Sequence, residues 1–230
     1  QFYTVYADQQ TPYHVYGGLQ DNGVWEAPHT SRESVAWHQY GHNNWTGIMG
    51  GDGMQIQVDQ DNADIVYTGY QFGNYFRINR ETNKRTNIQP KHKLGEAPLR
   101  FNWQTPILLS PHNNDILYLG SNKLHRSLNR GDDYITISKD LTSGGEKGNV
   151  PYGTLTAIDE SRFEFGTLVV GSDDGHIHVS SDSGASWHRI SDNLPQKLWV
   201  SRVQFSKHFP SRIYATLNGY RWDDFTPYVY

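Results

Sequence analysis

The sequence predicts an all-β fold, a β-propeller of four-stranded blades with about four and a half blades present. The first observation is a repeat: four apolar stretches end on glycines at one interval, because 69 − 18, 120 − 69 and 171 − 120 all give 51. Such a period indicates repeated supersecondary units that pack on their neighbours. The second observation is strand-like composition in each unit, with no convincing 3.6-residue apolar period. A β-sandwich is the main alternative, but it does not require equal spacing, so the propeller is favoured.

Each repeat is expected to contain strands joined by short turns. The strand that ends at the repeated glycine is predicted at 14–18, 65–69, 116–120 and 167–171. The strand on the other side of the turn is predicted at 55–58, 106–109, 155–158 and 200–205. Residues that favour turns join the two at 59–64, 110–115 and 206–211, so antiparallel hairpins follow.

The blades are predicted at about 1–48, 49–98, 99–148 and 149–196, with an incomplete fifth at 197–230. The chain opens within a strand at 1–6 and stops at 228–230, where the next turn of the repeat is expected. We therefore expect further sequence to complete the propeller, because an unclosed ring leaves unpaired sheet edges.

The third strand of two repeats runs into a turn with a recognisable pattern. One turn matches S-x-D-x-G-x-x-W at Ser180, Asp182, Gly184 and Trp187. The other is a degenerate copy with Asn and Tyr in place of Asp and Trp, at Ser127, Asn129, Gly131 and Tyr134. Both resemble the Asp-box of sialidase-type and sortilin-type propellers. A side-chain oxygen accepts turn N–H groups, the glycine takes positive φ and the aromatic packs over the turn, so a structural role is predicted.

Composition limits the chemistry. The 230 residues include no cysteine and carry a net charge of −4. The lack of cysteine excludes disulfides, thiol nucleophiles and zinc–thiolate sites. Mild acidity without a Lys/Arg cluster argues against nucleic-acid binding, and no apolar run is long enough for membrane insertion. No cofactor and no metal are predicted, because phosphate-cradling loops are missing and His176 and His178 lack a third ligand.

Five further motifs carry a resemblance to a known family. In chain order they are GLQDNGVW at 18–25, GGDG at 50–53, RFNWQTP at 100–106, SKDLT at 138–142 and YRWDDFTPY at 220–228. Together they resemble the sortilin-like (VPS10-type) BNR-repeat propellers of bacteria, which are distantly similar to xyloglucanase-type glycoside hydrolases. The resemblance implies an exported protein, secreted, periplasmic or at the cell surface, that holds a protein, peptide or glycan across its channel face.

The loops that lead into the innermost strands are the first candidates for a site. Asp52 lies in one such loop, and Arg100, Asn102 and Trp103 occupy the same place one repeat later, since 103 − 52 is 51. We expect these side chains to rim one cavity, where Trp and Arg suit sugars and peptides equally. The alternative is a tight turn capped by Asp52, with Arg100 as the buried partner of that carboxylate.

Two acidic turns are further candidates for ligand binding. Asp21 and Asn22 lie between the second and third strands of the first repeat, where a simple hairpin turn is the favoured interpretation. Arg221, Asp223 and Asp224 lie on a wider excursion in the equivalent place. The paired carboxylates there could bind a cation or polarise a sugar, although a solvated loop is favoured.

Two functions remain open from the sequence. The favoured one is a non-catalytic binding or scaffold module for a protein, peptide or glycan. The alternative is a xyloglucanase-like glycoside hydrolase with Asp52 as one of two carboxylates, which inverting cleavage places roughly 6.5–9.5 Å apart. Binding is favoured because the chain offers one plausible catalytic carboxylate where hydrolysis needs two.

Overall fold

The structure is a computed structural model that describes residues 2–230. It is an all-β fold of the β-propeller class, which confirms the fold predicted from the repeat. Within residues 2–230, four antiparallel sheets have four strands each, and a fifth has three. In every sheet, strands that follow one another in the sequence are hydrogen-bonded neighbours. The chain divides into two compact units, one ending at Ile88 and the other beginning at Gln89.

The first unit contains two sheets. The strands of the first sheet are β1 (Phe2–Ala7), β2 (His14–Leu19), β3 (Gly23–Pro28) and β4 (Thr46–Met49). The strands of the second sheet are β5 (Ile56–Val58), β6 (Ile65–Tyr70), β7 (Asn74–Asn79) and β8 (Lys84–Asn87). One apolar cluster packs these sheets together, with Tyr16 and Val24 from the first against Ile56, Val66 and Ile78 from the second.

The second unit contains three sheets. The strands of its first sheet are β9 (Ile107–Leu109), β10 (Leu117–Gly120), β11 (Leu124–Ser127) and β12 (Ile135–Thr136). The next sheet has β13 (Leu155–Glu160), β14 (Leu168–Ser172), β15 (Ile177–Ser180) and β16 (His188–Arg189). The last sheet has β17 (Trp199–Phe205), β18 (Ile213–Gly219) and β19 (Asp224–Val229).

Apolar faces join the sheets of the second unit in chain order. Tyr118 and Leu124 pack against Leu155 of the following sheet. Ala157 and Val169 pack in turn against strands β17 and β18. Strands β10 and β14 are buried along their whole length, which explains why they appear in the sequence as continuous apolar runs rather than as alternation.

Three of the four repeated glycines, Gly18, Gly120 and Gly171, allow the segment that follows to approach closely, whereas a Cβ on Gly69 would meet Asn74 of its own sheet. A Cβ on Gly171 would overlap the side chain of Val200 on β17, with 2.8 Å to its Cβ atom. On Gly120 it would lie 3.0 Å from the Cβ of Leu155 on β13, and on Gly18 it would overlap the backbone of Gly53 in the loop before β5. None of these three glycines has positive φ, so the requirement is packing rather than a turn.

A short helix lies in a stretch where the sequence shows no convincing 3.6-residue apolar period. Helix α1 (Val35–Tyr40) lies between β3 and β4, and the Oγ of Ser34 accepts a hydrogen bond from Trp37 N at 3.1 Å. Gly41 ends the helix in the left-handed conformation at φ 69°. None of its residues is buried, so the apolar stripe by which helices are recognised is missing.

Candidate functional site

The Gly-Gly-Asp-Gly loop is tied to the turn between β2 and β3. Asp52 Oδ1 accepts a hydrogen bond from the backbone N–H of Asp21 at 2.8 Å. Gly23 N donates to Gly51 O at 2.8 Å, and Gly53 N donates to Leu19 O at 3.0 Å. The aspartate that the motif singled out therefore organises the neighbouring turn, and it brings Asp21 to the same place.

A pocket of about 590 Å³ opens at this loop in the first unit. Its polar lining combines the two carboxylates with an amide, a phenol and a guanidinium, those of Asp21, Asp52, Gln71, Tyr70 and Arg85. Met49 and the glycines at 50 and 51 complete it.

The walls of the pocket are fixed by contacts outside it. The ring of Tyr70 packs against Phe76 at 6.1 Å between centroids. Arg85 donates through Nη2 to the carbonyl of Ile48 at 3.2 Å. Asn22 does not line the pocket; its side chain donates to Gln20 O at 2.9 Å and stabilises the turn.

In the second unit, Arg100 is held by the loop that connects β12 and β13. Its guanidinium donates to Asp140 Oδ2 at 2.7 Å, to Gly153 O at 3.1 Å and to Thr142 Oγ1 at 3.2 Å. Burial alone would raise the pKa of Asp140, but hydrogen bonds from Thr142, Arg100 and Asn122 bring it below the usual value. The carboxylate that pairs with Arg100 is thus Asp140.

Asn102 lies inside the second unit, with 2% of its surface exposed. Its amide donates to Thr154 Oγ1 at 2.8 Å, and that hydroxyl donates to Asp173 Oδ2 at 2.6 Å. Burial raises the pKa of Asp173, and the Thr154 hydrogen bonds oppose this rise. Trp103, next in the chain, is half-buried. Asn102 serves here to connect loops.

The residues nominated near the end of the chain form a compact loop between β18 and β19. Arg221 lies in a short 3₁₀ turn, Tyr220–Trp222, and Asp223 follows with φ 57°. The carboxylate of Asp224 accepts hydrogen bonds from Thr226 N at 3.0 Å and the Tyr228 hydroxyl at 2.8 Å, and these lower its pKa.

The two turns with the S-x-[DN]-x-G pattern share their hydrogen bonds. Ser180 Oγ donates to Asp182 Oδ1 at 2.8 Å and accepts from Gly184 N at 2.9 Å. Ser127 does the same with Asn129 and Gly131, both at 2.8 Å.

The aromatic residue of the turn at 180–187, Trp187, also contacts the previous sheet. Trp187 Nε1 donates to Ile137 O at 2.9 Å, directly after β12. Gly184 takes positive φ, 91°, and a Cβ there would lie 2.8 Å from the Cβ of Ile137. This turn therefore contributes to the packing between sheets.

Sequence reasoning missed Met49 and three polar residues of the pocket, Tyr70, Gln71 and Arg85. A signal for one of them existed: the second residue after each repeated glycine is polar in every repeat, at Gln20, Gln71, Asn122 and Asp173. In the second unit, Asn122 accepts from Arg100 N at 3.1 Å and Asp173 accepts from Thr154 N at 2.9 Å. In these two repeats the position contacts the loops that enter the next innermost strand, so its polarity marks that end of the blade.

Comparison with solved structures finds the same fold in glycoside hydrolases. A GH74 xyloglucanase from Xanthomonas campestris is similar over 89% of this chain, with a TM-score of 0.59 and 19% identity. A GH74 enzyme of Niastella koreensis is similar over 93%, with a TM-score of 0.57 and 15% identity. An ancestral GH74 enzyme gives a TM-score of 0.58 over 89% at 16% identity. At these identities the similarity shows the fold.

The chain spans about a third or less of those enzymes, 32%, 32% and 26% of their lengths. No protein-family description matches the sequence, and no curated protein does. Within residues 2–230, no three His, Asp or Glu side chains are grouped so as to hold a metal ion. No helix in the same range is long and apolar enough to span a membrane.

Proposed function

We propose that this chain is a carbohydrate-binding β-propeller module whose ligand occupies the pocket of Asp21 and Asp52. The observation that carries the proposal is the lining of that pocket. Residues with carboxylate, amide and guanidinium groups line it together with Tyr70. Sugars present hydroxyls that pair with such groups and C–H faces that rest on aromatic rings. An extracellular polysaccharide also agrees with the exported location that the family resemblance implies.

Binding is preferred to catalysis because of where the carboxylates lie. Asp21 is exposed and Asp52 is half-buried. Burial in an apolar environment is the usual means by which a carboxyl group becomes a general acid at neutral pH. In addition, one oxygen of Asp52 is already engaged by the N–H of Asp21. These contacts favour a fixed acceptor for sugar hydroxyls over a group that must exchange a proton.

A glycoside hydrolase is the second candidate, and one observation favours it. The pocket holds two carboxylates, Asp21 and Asp52, where the sequence offered one. Paired carboxylates are what glycosidases use, and the solved structures of similar fold include a xyloglucanase.

Two assays together distinguish these functions. Affinity electrophoresis in gels that contain xyloglucan, mixed-linkage β-glucan or galactomannan measures binding, and a reducing-sugar assay measures cleavage. We expect retardation of the wild-type chain by at least one polysaccharide. Asp52→Asn and Tyr70→Ala should weaken that binding at least about tenfold, whereas Asp64→Asn, on an exposed turn of the same unit, should not.

The possible results separate the two functions. Binding without release of reducing ends supports the module. Release of reducing ends that disappears in Asp52→Asn supports the hydrolase. No retardation by any polysaccharide, or equal loss in Asp64→Asn, contradicts the assignment of this pocket.

A further inference from the structure

We infer that Gly50 is the position at which the ligand of the Asp21 and Asp52 pocket lies directly on the protein backbone, so that a missing side chain determines what the pocket admits. The carbohydrate class of that ligand rests on the proposed function. Gly50 lines the pocket within the Gly-Gly-Asp-Gly loop at 50–53. Glycine loses more conformational freedom on folding than any other residue, so its presence in an ordered loop requires a reason, structural or functional.

The fold requires the other two glycines of this loop. Gly51 has φ 90°, in the left-handed region that side chains disfavour. A Cβ on Gly53 would lie 2.1 Å from the carbonyl oxygen of Gly23, so the loop can pack on the turn between β2 and β3 only without it. Gly50 has neither constraint. Its φ is not positive, and a Cβ there would meet no atom of residues 2–230 within 4 Å apart from its neighbours in the chain.

The space that a side chain at residue 50 would fill belongs to a pocket whose walls the fold holds in place. Gly50 is exposed and shares the pocket lining with Met49 of the first sheet and with Tyr70 and Arg85 of the second. These two four-stranded sheets pack on one another through the apolar cluster that contains Tyr16. The room at Gly50 is therefore bounded by packed sheets and remains available to a ligand.

Polar groups at Gly50 are left for a ligand to pair with. Within residues 2–230, the backbone N–H groups of Gly50 and Gly51 donate no hydrogen bond. In the same range, the carboxylate of Asp52 accepts a hydrogen bond only through Oδ1. Sugar hydroxyls both donate and accept, so a ring that lies against Gly50 can accept from the N–H groups and donate to Asp52 Oδ2. A side chain at residue 50 would hold the ring away from both.

Graded substitution at Gly50 tests the inference by affinity electrophoresis in xyloglucan, mixed-linkage β-glucan and galactomannan. Gly50→Leu should weaken binding at least about tenfold, and Gly50→Ala less, because the longer side chain takes more of the pocket. Neither substitution should lower Tm, since a side chain at an ordinary φ restricts the unfolded chain without straining the folded one. Gly51→Ala is the matched control, and it should lower Tm because residue 51 has positive φ.

A thiol at the same position gives a second readout, because the chain contains no cysteine. Gly50→Cys should react with N-ethylmaleimide, and the alkylated protein should lose polysaccharide binding. The polysaccharide that retards the protein should in turn slow the alkylation. Asp64→Cys, on an exposed turn of the same unit, is the control. Polysaccharide should not slow alkylation of that variant, and alkylation should not change its retardation.

The outcomes separate this inference from the proposed function. Weaker retardation of Gly50→Leu at unchanged Tm supports the inference. If Gly50→Leu is retarded like wild type while Asp52→Asn and Tyr70→Ala are not, the inference is overturned and the proposed function stands. A loss of Tm in Gly50→Leu as large as in Gly51→Ala, or equal protection of the thiols at positions 50 and 64, also overturns the inference. If no polysaccharide retards the wild type, the proposed function is overturned and the inference falls with it.

Discussion

Asp159 illustrates how burial changes one carboxyl group. It lies on β13, where its Oδ2 accepts a hydrogen bond from Phe205 N at 2.7 Å. Burial raises the pKa of Asp159 to about 6, and the hydrogen bonds from Phe205 and Glu160 N–H groups only partly oppose this. Its folded-state pKa thus exceeds the unfolded value near 3.9. Its contribution to stability is complete below that value and is lost as the pH rises through 6.

We predict that Asp159→Asn stabilises the protein at pH 7.5. The amide cannot ionise but can still accept the hydrogen bond from Phe205, so the cost of a buried charge disappears. The expected gain in the free energy of unfolding is about 1–3 kcal/mol. Urea unfolding at pH 7.5 measures it. Asp64→Asn, on an exposed turn, serves as the control, and a D159N protein less stable than wild type would contradict the prediction.

At the scale of elements, the turn at 180–187 depends on one carboxylate. Asp182 accepts hydrogen bonds from the Ser186 side chain at 2.6 Å, from Ser186 N at 2.9 Å and from Ser180. These bonds lower its pKa to about 2. The turn at 127–134 achieves the same geometry with an amide, since Asn129 Oδ1 accepts from Asp133 N at 3.0 Å. The turn therefore requires an acceptor oxygen at this position, and it does not require that the side chain be ionised.

We therefore expect Asp182→Ala to lower Tm more than Asp182→Asn does at pH 7. Alanine removes the acceptor, whereas asparagine reproduces the turn already present at 127–134. Differential scanning fluorimetry gives the two Tm values. Polysaccharide retardation should be unchanged in both variants, because no residue of this turn lines the pocket of Asp21 and Asp52. Equal Tm losses in the two variants would mean that the charge, rather than the acceptor, holds the turn.

The glycine at the end of β14 makes a prediction about packing between sheets. In Gly171→Ala, the new methyl group overlaps Val200 on β17. Either the two strands must move apart or the side chain of Val200 must adopt an unfavourable rotamer. We expect a loss of about 1–3 kcal/mol in the free energy of unfolding. Gly148→Ala is the control, because a Cβ there meets nothing closer than 3.7 Å.

A double-mutant cycle with Val200→Ala assigns the cause of that loss. If the steric explanation holds, Gly171→Ala costs less in the V200A protein than in wild type, giving a favourable coupling energy. Additive losses would show that the methyl group acts by another route.

At the scale of the whole molecule, the pH dependence of stability is set by buried histidines and a buried aspartate, which act in opposite directions. Burial lowers the pKa of His125 to about 4, with a smaller contribution from Lys123. Burial, together with His176 and Arg189, lowers the pKa of His178 to about 4. Both imidazoles favour folding when neutral, so their contribution is complete above 6.5 and is lost as the pH falls toward 4. Asp159 acts in the opposite direction.

We predict that stability falls more steeply with acid in Asp159→Asn than in wild type. Without Asp159, protonation of the two histidines is opposed less between pH 7 and pH 5, chiefly by Asp173, whose pKa burial also raises, and the expected loss is about 2–4 kcal/mol. In wild type, neutralisation of Asp159 offsets part of it. Urea unfolding at pH 7, 6 and 5 for both proteins provides the comparison, and parallel curves would refute the opposition of these groups.

The architecture was predictable because its signal lies along the chain. Strand phase, hairpin turns and the interval between glycines are local or periodic properties, and the sheets follow them. The candidate site was predictable only in part. Asp52 and Asp21 belong to recognisable turns, but Arg85 joins them from the last strand of the next sheet. Arg100 likewise meets Asp140 across 40 positions. Such contacts depend on which loop packs over which strand in the folded structure, and the spacing of residues along the sequence does not predict this.

The missing side chain at the repeated glycine also bears on how such a chain can grow in evolution. A tandem duplication of one 51-codon period copies two features together. One is the glycine that leaves room for the next repeat, and the other is the start of the repeat, which packs against such a glycine. Each new copy therefore begins with a glycine at the position where Gly18, Gly120 and Gly171 receive the segment that follows. A mutation to alanine at Gly18, Gly120 or Gly171 therefore penalises one close approach and leaves the other two unchanged.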